Sequence, residues 1–474
     1  MDKDTTLLMK SLGLPIRAES QKNANPGPAM PPVAPVATTT TSATELLDLV
    51  AESGDQPMFR PRAPKNLVEA GLTDAMVDSI IFKYLHAVGS ASGAKIASLL
   101  ALPRPPVVER LADLKQQQLV GYVGTAVMGD FTYQLTDAGR ERARKCLEES
   151  MYVGAAPVPL ATYIESVKAQ SITLERPSKE VLNEAFGDLL INDQMFATLG
   201  PAINSGRGMF LYGFPGNGKT SIAERITRCF GSEVYIPRTL HVDGFLIRLY
   251  DAEIHQEIPQ SQQGMLKSDA LDERWVRIKR PTIIVGGELT MDALEVRYNE
   301  TTKISEASTQ LKSNLGSLVI DDFGRQRINP FELLNRWIIP LEKRYDFLAL
   351  ANGLKIQVPF DQLLIFSTNL EPKDLVDEAF LRRIPYKINV LDPTEEEFRA
   401  LFKMMCRILE VEHQEDVVDY VIEEHYRKTG RPFRCCQPRD LISLARNRCQ
   451  YQGEPATMTR ENMDFAATVY FTVM

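Results

Sequence analysis

Apolar residues recur with two different periods along this chain, and the change of period divides it. From Asp74 to Ala87 they fall three or four apart, at Met76, Ile80, Ile81 and Leu85, which predicts a helix capped by Thr73. Ser92 is placed to cap a short helix through Leu100. Pro105 and Pro106 open a third helix, to Gln118, with Val107, Val108, Leu111 and Leu114 inward. Two stretches, near Leu119–Val123 and Phe131–Leu135, read as strands, and Thr136 starts another helix. Further on the pattern becomes short continuous apolar runs, at Met209–Tyr212, Ser317–Ile320 and Leu363–Phe366, the signature of strands buried on both faces. Trp275–Ile278 and Thr282–Val285 read as strands as well. The helical period returns after Thr394-Glu-Glu-Glu397, a capping box, with Phe398, Leu401, Phe402, Met405 and Leu409 on one face. Helices near 415–428, 438–451 and 460–472 follow.

Each buried run ends in polar residues, and there the chemistry concentrates. After Tyr212 comes Gly213-Phe214-Pro215-Gly216-Asn217-Gly218-Lys219-Thr220-Ser221, a full match to G-x-x-x-x-G-K-[ST] between a strand and a helix. Glycines let the backbone N–H groups converge on a polyphosphate, Lys219 reaches the β- and γ-phosphates, and the Thr220 hydroxyl is a ligand for Mg²⁺. The helix N-terminus adds a partial positive charge. After Ile320 come Asp321, placed to hold Mg²⁺ through its water shell, and Asp322, placed to orient or deprotonate an attacking water. The third run ends in Ser367-Thr368-Asn369. ATP and Mg²⁺ are the expected ligands.

With these elements in this order, the chain resembles the AAA+ ATPases. The resemblance implies an α/β P-loop sandwich with a C-terminal helical lid, acting as a ring, in which Asn369 is the first nucleotide sensor. It also implies an arginine finger at Arg382 or Arg383, within Asp377–Ile384, that completes a neighbouring subunit's site. Arg325 and Arg327 are rival candidates. Gln437-Pro-Arg439-Asp440 is similar to the second sensor, so Arg439 would reach from the lid to the γ-phosphate. An Asn352-Gly353 turn between strand-like flanks resembles the pre-sensor-1 hairpin of MoxR-like ATPases and magnesium chelatases. From about Tyr163 onward, segments such as Asp321–Gln326 and Leu334–Trp337 resemble predicted chaperone-like ATPases associated with Flp (tight-adherence) pilus clusters. Most AAA+ members carry Glu where this chain has Asp322, which raises the alternative of slow hydrolysis.

Composition narrows the picture. The chain has 474 residues, 44% hydrophobic and 24% charged, as in globular proteins, and no apolar run approaches the length of a membrane span. The N-terminus is acidic and broken by Lys10, unlike a secretory signal. Six cysteines show no C-x-x-C spacing and five histidines are scattered, so reduced thiols, a cytoplasmic location and no zinc site are expected. Residues 1–66 are rich in Pro and Thr and are expected to be disordered, with two amphipathic islands at Thr6–Leu12 and Ala43–Val50.

Residues 67–151 read as a winged-helix domain, 152–177 as a linker, 178–392 as the α/β nucleotide-binding domain and 393–474 as its helical lid. An insertion near 250–315 has no clear place in that scheme, and Pro259–Gly264 reads as an exposed loop. A winged helix invites a nucleic-acid reading. Yet nine Lys/Arg face ten Asp/Glu between 67 and 151, and the whole chain carries −8. Phosphate contacts dominate DNA affinity and need a basic surface, so a protein partner is the better expectation for this domain. The expected function is an AAA+ ATPase, assembled as a homo-oligomeric ring with a hexamer favoured, that remodels a protein substrate. A DNA-acting ATPase and a slow nucleotide-switched scaffold are the alternatives. A magnesium-chelatase-like motor lacks its metal-binding partner domain.

Overall fold

In a computed structural model, residues 59–126, 129–231, 233–259 and 271–472 are described. The amphipathic islands and nearly all of Pro259–Gly264 lie outside them. A five-stranded, all-parallel sheet organises the chain. Its strands are β1 (Met209–Tyr212), β2 (Thr282–Val285), β3 (Ser317–Ile320), β4 (Leu363–Thr368) and β5 (Tyr386–Asn389), in the spatial order β2-β3-β4-β1-β5. The registers Val285↔Ile320, Ile320↔Phe366, Thr368↔Tyr212 and Asn389↔Tyr212 bring the carboxyl ends to one edge. β3 and β4 are buried at every position, which is why they read as unbroken apolar runs. One face packs Leu199, Ala202 and Ile203 with Ile222 and Ile226 of the helix after β1. The other holds a cluster of Phe210, Phe323, Phe366 and Trp337, with ring centroids 5.0–6.1 Å apart.

A second five-stranded sheet was not legible in the sequence. It runs Arg297–Asn299, Ile304–Glu306, Phe245–Arg248, Thr239–Val242, Val158–Pro159, mixing parallel and antiparallel pairs. The antiparallel ribbon Glu233–Pro237/Trp275–Lys279 shares its core, through Val234, Ile236, Leu240, Ile247 and Ile278. The hairpin Tyr345–Ala349/Lys355–Pro359, expected from Asn352-Gly353, buries Leu348, Ile356 and Val358 in the same core. Residues 152–177, expected as a linker, hold the strand Val158–Pro159 and the helix Leu160–Ala169, whose Tyr163 and Val167 are buried.

The N-terminal unit has helices Asp74–Val88, Gly93–Leu100, Arg104–Gln116 and Asp137–Glu149, with strands Ser90–Ser92, Val120–Ala126 and Asp130–Leu135. Ser92 and Thr136 accept from Lys95 N at 3.3 Å and Gly139 N at 3.1 Å, the caps expected of them. Its core contains Ile304 of the second sheet and packs on Leu246, so the unit is seated on that sheet. Phe59, within the segment expected to be disordered, packs edge-on to Trp275 at 5.6 Å. At the other end, helices Glu395–Ile408, Glu415–Val421 (continued by a π-turn to Arg427), Gln437–Gln452 and Arg460–Phe471 close around Phe398, Phe402, Tyr426 and Ile442. Among the described residues, no helix is long and apolar enough to cross a membrane.

Candidate functional site

The parallel sheet dictates where a site forms. Polar residues that follow each buried strand emerge together, at the edge where the strand order reverses around β1. There the Gly213–Ser221 loop wraps onto the helix Lys219–Ile226. Gly216 has φ +84°, and a Cβ on it would lie 2.6 Å from Cys436 Sγ, so a side chain is excluded twice over. An ammonium has three donors, and Lys219 uses all three: Nζ donates to Gly213 O and Phe214 O at 2.9 Å and to Asn369 Oδ1 at 2.7 Å. Burial pulls its pKa below the usual lysine range, and Asp321 and Asp322 oppose that shift.

The acidic pair divides by geometry. Thr220 Oγ1 donates to Asp321 Oδ2 at 2.9 Å, which brings a hydroxyl and a carboxylate oxygen together at the helix start. Asp322 takes a left-handed backbone, φ +49°, and accepts from Asn369 Nδ2 at 3.2 Å. Asp tolerates that conformation better than longer side chains, because its short polar side chain bonds locally. The backbone turn therefore supplies a reason for Asp at this position. Asn369 joins Lys219 on one side to Asp322 on the other.

These residues line a cleft of about 760 Å³. Of the residues expected from the sequence, Pro215 through Ser221, Asp321, Asp322, Asn369 and Arg439 all line it. Gly213 meets the site through its carbonyl on Lys219. Arg439 is largely exposed, and its Nε donates to Asp440 Oδ1 at 3.0 Å. Arg382 and Arg383 do not line the cleft. Arg382 is exposed, while Arg383 Nε donates to Glu342 Oε1 at 2.7 Å. Arg325 does line the cleft, and Arg327 does not.

Two groups of lining residues escaped sequence reasoning. Leu189, Ile191 and Met195 give the cleft an apolar wall, and Leu401, Met404 and Met405 of the C-terminal helices line it as well. The local signal was an apolar stretch just before Asn192, which caps the next helix by accepting from Met195 N at 2.9 Å. The other group is a lock between the C-terminal helices and the loop. Asn217 Nδ2 donates to Asp392 Oδ1 at 2.7 Å, and Arg434 pairs with the same oxygen. The Arg434 guanidinium also lies 4.4 Å from the centre of the Phe214 ring. Cys436 N donates to Gly216 O at 2.8 Å. Residues 217, 392 and 434 are too far apart in the chain for any local signal to join them.

The donor set suits Mg²⁺. Among the described residues no cluster of three or more His, Cys, Asp or Glu is placed to hold a metal. Mg²⁺, however, commonly takes one or two protein oxygens and completes its shell with phosphates and water, and Thr220 with Asp321 offers such a pair.

Residues 394–469, the C-terminal helices, match a family described as "Domain of unknown function (DUF8689)". No curated protein matches the chain. Among solved structures the chain is similar to NtrX from Brucella abortus in complex with ATP, at 13% identity and a TM-score of 0.37, covering 63% of this chain and 59% of that one. A second NtrX structure from Brucella abortus gives 14% and 0.37, covering 60% and 56%. A RuvB mutant from Thermotoga maritima gives 12% and 0.36, covering 61% and 73%. The chain thus spans less than two thirds of the length of either NtrX chain.

Proposed function

We propose that this chain is an AAA+ ATPase that binds Mg·ATP in the cleft, hydrolyses it and uses the cycle to remodel a protein partner in the cytoplasm. The observation that carries the reading is the hydrogen-bonded line from Thr220 and Asp321, and from Lys219 through Asn369 to Asp322, at one end of a parallel sheet. In this reading the loop amides and Lys219 hold the β- and γ-phosphates, and Thr220 and Asp321 hold Mg²⁺. A Mg²⁺ ion there supplies charge neutralisation on the phosphoryl oxygens. Asp322 and Asn369 position a water against the γ-phosphorus. As the new P–O bond forms, the bond to the β,γ-bridging oxygen breaks and its electron pair stays on ADP. The proton leaving the water passes by way of Asp322 to the released phosphate.

The apolar wall of Leu189, Ile191 and Met195 suits a nucleobase, and the C-terminal helices serve as the lid, with Arg439 as second sensor. Arg382, exposed and away from its own cleft, suits a role toward a neighbouring subunit in a ring. The N-terminal unit has the element order of a winged helix. Its third helix offers Arg110, but Asp78 holds that guanidinium at 2.6 Å, with Asp74 and Asp113 at 3.1 and 3.3 Å. That neutralised arginine favours a protein partner over DNA. Turnover by the full chain is expected to be unchanged by duplex DNA at physiological salt. DNA-stimulated turnover that falls steeply with added salt would move the reading to a DNA-acting ATPase.

A further inference from the structure

The loop that follows β3 is built more tightly than presentation of two carboxylates requires. Phe323 N donates to Ser367 O at 2.7 Å, and Thr368 Oγ1 donates back to Phe323 O at 2.9 Å. Gln326 folds over the turn, accepting from Gly324 N at 2.8 Å and donating to Asp321 O at 3.0 Å. Arg325 N closes the turn on Asp322 O at 3.0 Å, and Arg327 N reaches Gly287 O at 3.3 Å. Gly324 sits at φ +103°, and a Cβ there would lie 2.6 Å from Leu375 Cδ2, so any side chain here would strain the backbone and displace Leu375. Phe323 is buried in the aromatic cluster beneath. The backbone on both sides of Arg325 is therefore fixed to β3, β4 and the end of β2.

The side chain held this way is exposed, lines the cleft with Asp321, Asp322 and Asn369, and forms no ion pair among the described residues. Most other arginines in the neighbourhood are occupied: Arg383 by Glu342, Arg434 by Asp392, Arg439 by Asp440. An unpaired guanidinium on a rigid turn beside two carboxylates is poorly used as a stabilising group. It is well used as a charge waiting for an anion.

We propose that Arg325 is a catalytic residue that contacts the transferring phosphoryl group from within its own subunit. This rests on the ATPase reading above. It assigns to the same chain a charge-stabilising role that the family resemblance places on a neighbour's arginine. Arg325 gives and takes no proton. It neutralises charge that builds on the phosphoryl oxygens as the bond to ADP breaks.

Arg325→Ala and Arg325→Lys in the full-length protein test this. The position is exposed, and circular dichroism checks that the fold is kept. Turnover of Mg·ATP by Arg325→Ala is expected to fall roughly 100-fold, the scale for losing one charge-stabilising donor. Affinity for ADP is expected to stay within about threefold, while affinity for ADP with aluminium fluoride, which imitates the phosphoryl group in flight, falls by a comparable ~100-fold. Arg325→Lys is expected to recover only part, because an ammonium lacks the fork. Mixing Arg325→Ala with Lys219→Ala is expected to give no recovery. Wild-type turnover and undiminished aluminium fluoride affinity in Arg325→Ala would overturn the assignment. Recovery on mixing would overturn the same-subunit role. A wild-type protein that binds no Mg·ATP would instead sink the ATPase reading itself.

Discussion

The two five-stranded sheets follow opposite rules. In the parallel sheet every neighbour is related by a crossover, all carboxyl ends share one edge, and the three central strands are largely continuous apolar runs. In the second sheet the strands are two to four residues long, directions are mixed, and Val158 pairs with Leu240 across a large gap in sequence. The first sheet gathers side chains for chemistry. The second gathers segments of chain: it seats the N-terminal unit through Ile304 and Leu246 and shares its core with the Tyr345–Pro359 hairpin. None of its strands contributes a residue to the cleft. Aligned strand ends make a site, whereas short mixed strands make a joint.

The sharpest way to break that division is to damage the joint and look for an effect on the site. Arg274 is buried, pairs with Asp272 at 2.7 Å and donates to Ala70 O at 2.9 Å and Pro157 O at 3.2 Å. Arg274→Ala would leave Asp272 buried without its partner. A loss of roughly 3–5 kcal/mol is expected in denaturant unfolding. Nucleotide affinity of the folded fraction is expected to stay unchanged. An affinity loss as large as the stability loss would mean that the two sheets are not separate in function.

The converse test damages chemistry alone. Asp322→Asn keeps the size of the side chain and its bonding to Asn369, and removes the charge. Turnover is expected to fall about 100-fold, the range for a lost general base or water-positioning group, with ATP affinity kept. Undiminished turnover would move the role to another residue.

The smallest effect is expected at Tyr152, whose hydroxyl donates to Ala155 O at 2.6 Å and sits 2.9 Å from Thr239 Oγ1. Tyr152→Phe is expected to cost about 1–2 kcal/mol by leaving buried partners unsatisfied. No change in turnover should accompany it. A turnover change measured in the same preparation would show that strain in the joint reaches the cleft.

The same contrast explains what could be read from the sequence. Asp321, Asp322 and Asn369 were legible because they lie at the ends of buried runs, and Lys219 and Thr220 because a fixed-length glycine-rich loop joins them to one, so spacing along the chain stands in for position at the sheet edge. Helices of the N- and C-terminal units were legible from their period and from caps such as Thr136 and Thr394. The second sheet was not, because its half-exposed strands carry too few residues to show a period. The insertion near 250–315 had no place for that reason: its strands go to three places, Trp275–Lys279 to the ribbon with Glu233–Pro237, Thr282–Val285 beside Ser317–Ile320, and Arg297–Asn299 with Ile304–Glu306 to the edge of the second sheet. The lock of Asn217, Asp392 and Arg434 was hidden because its members meet only in three dimensions.

Binding of ATP to Lys219→Ala tests the central claim most directly. The variant removes an ammonium that touches the loop carbonyls and Asn369 and replaces nothing else. Equilibrium titration of wild type and variant with a fluorescent ATP analogue in the presence of Mg²⁺ is the measurement. Saturable binding by the wild type and loss of detectable binding by a folded Lys219→Ala protein is the predicted result. Equal affinity in the two proteins would contradict the account.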